Sequence, residues 1–144
     1  MEKFPPIEKI YEAYTAIADN RIDMRENSAL VKSSGSGEKT YTVKWSGNNY
    51  SSDDSASFWQ GYAGYPIIAA LMLQGILPLD KSVASLLSGI NWNAINKKHK
   101  RDYTEAFNEV SEKFSEIDRQ KIISESGAVY KILETLAICV KRKI

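Results

Sequence analysis

Asp53 and Asp54 are adjacent carboxylates in a stretch otherwise poor in charge. Two acids so placed can hold a divalent cation, or split into a proton donor and a proton acceptor. Asn48, Asn49, Tyr50, Ser51, Ser52, Trp59, Gln60, Tyr62 and Tyr65 all lie between positions 48 and 65. Polar side chains mixed with Trp and Tyr are what sugar and nucleobase sites use for stacking and hydrogen bonding. Asp53, Asp54, Trp59, Gln60 and Tyr62 are therefore one candidate ligand-binding group. The competing account is architectural. Acids at a helix start cap its free N–H groups, and the aromatics pack a sheet against helices.

A second group is the run Lys97-Lys98-His99-Lys100-Arg101. Lys97, Lys98, Lys100 and Arg101 can neutralise phosphates, helped by the lysines Lys32, Lys39 and Lys44. Against this, Lys98–Asp102 and Arg101–Glu105 stand four apart, which suits a solvated helix face that neutralises itself. His99 has an imidazole's capacity for acid–base work, but four cations flank it and it lies on an apolar stripe. It reads as a histidine at the edge of the core.

Other chemistries find no residues. The single cysteine, Cys139, excludes an internal disulfide and a cysteine-based zinc site, and one histidine excludes a multi-histidine metal site. Cys139 sits in the apolar run Leu136–Val140 and reads as a packing residue near a helix end. No Gly-x-Ser-x-Gly elbow is present. Gly35-Ser36-Gly37 and Gly61-Tyr62-Ala63-Gly64 lack the strand-to-helix setting of a phosphate cradle and read as turns. No cofactor is expected.

Elements must position these groups, and the apolar spacing supplies them. Pro5 and Pro6 suit a first helical turn. Ile7, Ile10, Tyr11, Tyr14 and Ile17 then recur at spacings of three and four, which predicts a helix over about residues 6–18. Ile22 and Met24 suggest a short strand, and Ala29-Leu30-Val31 a second. Across Ser33-Ser34-Gly35-Ser36-Gly37, Tyr41, Val43 and Trp45 alternate with Thr40, Thr42 and Lys44. That predicts an antiparallel hairpin with Tyr41, Val43 and Trp45 facing the core, and Tyr50–Ser52 as a further strand.

Helices follow. Asp53, Asp54 or Ser55 caps a short one carrying Phe58, Trp59 and Tyr62. Pro66 opens a helix without charge that stops at Gly75. Asp80 caps the next, which Gly89 closes. Trp92, Ile95, His99, Tyr103, Phe107, Val110 and Phe114 form one stripe and predict a single helix over about 92–114. Ile122-Ile123 belongs to another helix. Val129, Ile132, Leu133, Leu136 and Val140 form a last stripe, with Gly127 as a boundary or kink and Lys141-Arg142-Lys143 in the final turn.

The result is an α+β class: one helix-rich domain over residues 1–144. It has an N-terminal helix, a small antiparallel meander of two or three strands, then five or six helices. Strands do not alternate with helices, so a parallel βαβ sheet is not expected. A chain of 144 residues with 43% hydrophobic and 26% charged side chains is of ordinary globular composition. Seven cations face seven acids over residues 1–50, one faces three over 51–96, and eleven face eight over 97–144. The net charge of +1 points to no polyanion partner.

No signal-peptide pattern opens the chain. The uncharged stretch Ser55–Leu79 is interrupted by Pro66 and Pro78, too closely spaced for a membrane span. A cytoplasmic location is expected. Three functional readings follow. The first is a non-catalytic binding or protein-interaction module, whose exposed part of 55–79 docks a partner or a second copy, giving a homodimer. The second is a nucleic-acid-binding domain using the 97–101 run. The third is a small enzyme or ligand binder around Asp53, Asp54, Trp59 and Tyr62.

Overall fold

The first apolar stripe forms helix α1 (Glu8–Ala18). Its end is fixed by Asn20, in the left-handed region at φ 53°, with Arg21 N donating to Ala16 O at 3.0 Å. Asn tolerates that conformation better than most residues. The helix is buried well beyond its stripe: every residue from Lys9 to Ala16 is buried. Helices α2 (Tyr65–Leu73), α3 (Lys81–Leu86), α5 (Tyr103–Ser111) and α6 (Glu116–Thr135) all pack on it. One contiguous apolar core results.

The computed structural model describes residues 1–35 and 39–144. The glycine-serine loop expected at 33–37 is thus described only as far as Gly35; Ser36 and Gly37 lie outside the described residues. Strands β1 (Ile22–Met24), β2 (Ser28–Lys32), β3 (Thr40–Ser46) and β4 (Asn49–Ser52) form an antiparallel meander. Ala29 pairs with Val43, Val31 with Tyr41, and Trp45 with Tyr50. Val43 is fully buried, whereas Thr40 and Lys44 are exposed, as the period-two alternation predicts. The meander has four strands, not the two or three expected, and a fifth strand, β5 (Cys139–Lys141), adds parallel to β4.

Helix α2 fills the space between α1 and the sheet. Ile67 to Leu71 are completely buried, as an uncharged helix requires. Gln74 at its end tethers it to the sheet. In the orientation that satisfies its neighbours, its amide donates to Tyr50 Oη at 3.0 Å and Ala70 O at 3.2 Å. Its carbonyl then accepts from Trp45 Nε1 at 3.3 Å.

Three expectations for the second half are corrected. Residues 92–114 are not one helix but α4 (Trp92–Lys98) and α5, broken by Lys100 at φ 53° and Arg101 at φ 66°. The apolar stripe runs through the break because both helices lean on the same core. Its chain signal is Asp102, whose carboxylate accepts from Glu105 N at 3.2 Å and caps α5. Gly127 neither ends nor divides a helix: α6 is continuous over 20 residues. The stripe ending at Val140 is not helical either. Helix α6 stops at Thr135, and the chain pairs with the open edge of β4, Tyr50 opposite Val140. Cys139 is exposed on that strand rather than packed, and Lys141 belongs to the strand, not a last helical turn. No helix of the described residues is long and apolar enough to cross a membrane.

Candidate ligand-binding cleft

Four separated segments converge on one cleft of about 370 Å³. That lies within the range of small-ligand sites, roughly 300–1,000 Å³. The wall from α1 carries Lys9 and Glu12, one turn apart and paired at 3.1 Å. They are only 8% and 7% exposed, because the later elements fold over this end of the helix. Lys9 Nζ also lies 4.5 Å from the Tyr103 ring centre. Burial pushes the Glu12 carboxyl above its usual range, against the pull of Lys9. Burial alone would lower the Lys9 ammonium, but Glu12 and Tyr103 outweigh it and hold it above its usual value.

The second wall begins at Asp54. The chain turns there into a π-helical turn (Ala56–Gln60), which Gly61 closes at φ 75°. Asp54 Oδ2 accepts from Ser57 N at 3.1 Å, and Ser57 Oγ accepts from Gly64 N at 3.0 Å. The carboxylate sits so close to Gly64 that a Cβ there would lie 2.1 Å from Oδ2. One oxygen is thus fixed. The other, Oδ1, has no hydrogen-bond partner, although Asp54 is 5% exposed and lines the cleft. Tyr62 and Gln60 follow on the same wall.

Strand β3 and the start of α2 contribute Tyr41 and Tyr65, edge to face with centroids 6.3 Å apart. Burial raises the Tyr41, Tyr62 and Tyr65 hydroxyls above their ordinary value, so they remain neutral donors. The last wall comes from α4 and the turn after it. Asn93 N donates to Ser34 Oγ at 3.1 Å, and Asn96 Nδ2 reaches Glu12 Oε1 at 3.5 Å. Lys97 and Arg101 line the same cleft. Arg101 is held there by its turn: Arg101 N donates to Asn96 O at 2.7 Å and Lys100 N to Lys97 O at 3.1 Å. This is the helix end that glycine usually makes, built here with Lys100.

The two candidate groups of the sequence therefore divide and recombine. Asp54, Gln60 and Tyr62 meet Lys97 and Arg101 in one cleft. Asp53 lies outside: it is exposed, and its Oδ1 accepts from Thr42 N at 2.8 Å, pinning β3. Trp59 is 66% exposed and packs edge-on to Phe58 beneath Arg142, away from the cleft. Lys98 pairs with Glu109 at 2.6 Å, and Lys100 is exposed outside the cleft. The expected pairs Lys98–Asp102 and Arg101–Glu105 do not form, because the helix that would align them is broken. Glu109 instead takes both Lys98 and His99, and their hydrogen bonds hold its carboxyl below the usual range.

Tyr65, named beside the first candidate group, also lines the cleft; Lys9, Glu12, Tyr41, Asn93, Asn96 and Tyr103 are cleft residues that sequence reasoning missed. For Lys9 and Glu12 a signal existed. They lie one turn apart on a helix whose remaining centre is Ala, Thr and Tyr, too apolar to have a solvated face. Among the described residues no three acids, histidines or cysteines cluster as metal ligands.

Residues 2–139 match the model of the family described as Uncharacterised conserved protein UCP014422. No curated protein and no solved structure matches the chain.

Proposed function

The chain belongs to the family whose model it matches, and we propose that it is a non-catalytic binding module for a small polar organic molecule. The observation that carries this reading is Asp54, which lines the cleft and whose buried Oδ1 has no hydrogen-bond partner. A buried acceptor without a donor costs free energy, and a ligand donor would recover it. The surroundings support the same use. Four tyrosines line it, each with a cation over one face of its ring, and Gln60, Asn93 and Asn96 supply amides that can orient a guest.

The docking expectation for 55–79 contracts in this reading. Its middle, residues 66–72, is core, and its exposed large apolar side chains are Trp59, Leu73 and Ile76. Nucleic-acid contact is the weaker reading: Lys98 is neutralised by Glu109 and Arg101 lines the cleft. An unpaired exposed thiol at Cys139 suits a reducing compartment, and we place the protein in the cytoplasm on that basis.

A thermal unfolding screen tests the reading, since a ligand that binds only the folded state raises the midpoint. The panel is free amino acids, nucleotides, sugar phosphates and neutral sugars. At least one class should raise the midpoint of the wild type, and the Arg101→Gln variant should respond less. A panel without any stabilising member, or one that stabilises both proteins alike, contradicts the reading.

A further inference from the structure

We propose that the ligand is a nucleoside monophosphate, its base against Asp54 and its phosphate at Lys97 and Arg101. This rests on the cleft being a ligand site and adds the chemistry of its occupant. The inner end sets the first requirement. Asp54 Oδ2 accepts from Ser57 N, and Oδ1 is unpartnered. The group that meets it must donate a hydrogen, which excludes a carboxylate or phosphate in that position.

Lys9 sets the second. Its ammonium already sits over Tyr103 and beside Glu12, in the place an alkylammonium guest would prefer. A second cation beside it is repelled, so the donor at Asp54 is a neutral N–H or O–H. Tyr41, Tyr62, Tyr65 and Tyr103 set the third: an aromatic lining suits a flat, conjugated guest.

The outer end sets the fourth. Among the described residues no carboxylate lies within 4.0 Å of Lys97 or Arg101, whereas Lys98 and Lys9 both have one. Arg101 reaches the cleft from two successive left-handed residues, a backbone conformation that costs free energy. The planar guanidinium it carries offers paired N–H donors, which suit a multidentate acceptor such as phosphate. Across the cleft three cations face two carboxylates, so the guest carries net negative charge. A neutral ring donor joined to an acidic tail meets all four conditions, and a nucleoside monophosphate is that combination.

Isothermal titration calorimetry of the full chain tests it. The probes are the four common ribonucleoside 5′-monophosphates, ribose 5-phosphate, inorganic phosphate and free lysine. At least one nucleotide should bind roughly ten-fold or more tighter than ribose 5-phosphate, the discrimination that a satisfied buried polar group provides. Asp54→Asn should remove about that factor for the nucleotide and leave ribose 5-phosphate unchanged. Arg101→Gln, an exposed change that spares folding, should weaken both and flatten the dependence on salt.

Nucleotides no tighter than inorganic phosphate overturn the proposal, as does preferential binding of lysine. Retention of nucleotide affinity in both variants overturns it too, as does an oligonucleotide that binds far tighter and is lost in a Lys97→Glu, Lys100→Glu double variant. If nucleotides fail while another class in the thermal screen stabilises the wild type through Arg101, this proposal falls and the binding-module reading stands. If no class does so, both fall.

Discussion

At the scale of single residues, the site depends on a carboxylate fixed by one contact and left open at another. Gly64 is the residue that permits this. An alanine there would put its Cβ 2.1 Å from Asp54 Oδ2, and Ser57 Oγ would be 3.0 Å away. Both neighbours are buried, so the strain has no cheap outlet. Gly64→Ala should destabilise the fold by about 1–3 kcal/mol, the usual range for overpacking, measured by urea unfolding. A loss below about 0.5 kcal/mol would show that Asp54 moves freely and is not preset.

Glu12 carries a pH signature. Its carboxyl is held above the 4.5 of an unpaired side chain by burial, so the folded state binds that proton more tightly. The stability this contributes is complete below pH 4.5 and is lost as pH rises through the raised folded value. Glu8 is raised for the same reason and contributes in the same direction. Glu12→Gln removes the titration but not the burial. Its stability should therefore fall less between acid and neutral pH than that of the wild type. The slope is the readout, since the variant also leaves Lys9 without its partner. Parallel slopes would show that Glu12 titrates as an exposed acid.

At the scale of elements, two helices give opposite lessons. Helix α2 was legible because an element without charge or glycine between Pro66 and Gln74 has no solvated face to offer. Leu71 is fully buried in it, and Leu71→Ala should cost about 2–5 kcal/mol. Helix α6 was read as divided because Gly127 interrupts its apolar pattern. A Cβ at Gly127 meets nothing within 4 Å, and the residue keeps helical backbone. Gly127→Ala should thus stabilise by roughly 0.5–1 kcal/mol through helix propensity, seen as a higher unfolding midpoint. A lowered midpoint would place a neighbour in that space.

The hairpin was legible for a related reason. Tyr41, Val43 and Trp45 alternate with polar residues, and only an extended strand puts all three on one face. The break at residues 99–102 was hidden because Lys100 stands where a glycine would have announced a left-handed turn. Strand β5 was hidden for a non-local reason. Leu136 and Val140 have helical spacing, but the free edge of β4 supplies hydrogen bonds that spacing cannot encode.

At the scale of the whole molecule, the cleft is a product of packing rather than of any motif. Helix α1 lies at the centre, and α2, α3, α5 and α6 pack against it. Trp92 Nε1 donates to Thr15 Oγ1 at 2.8 Å, and Thr15 Oγ1 donates to Leu87 O at 2.7 Å, which ties α4 to α1 and α3. Tyr11 stacks on Phe107 at 4.2 Å, which ties α5 to the same helix. Together these contacts bring residues 93–103 over Lys9 and Glu12. The sequence showed two groups of candidate residues, at 53–62 and 97–101, with no sign that they meet.

Amide chemical shifts of the isotope-labelled protein report whether the two groups meet in solution. During titration with a ligand that stabilises the fold, the amides of Asp54, Gln60 and Tyr62 should shift together with those of Asn96, Lys97 and Arg101. Both sets should follow one binding curve. Shifts confined to one set, or two curves with different midpoints, would contradict a single cleft built from both.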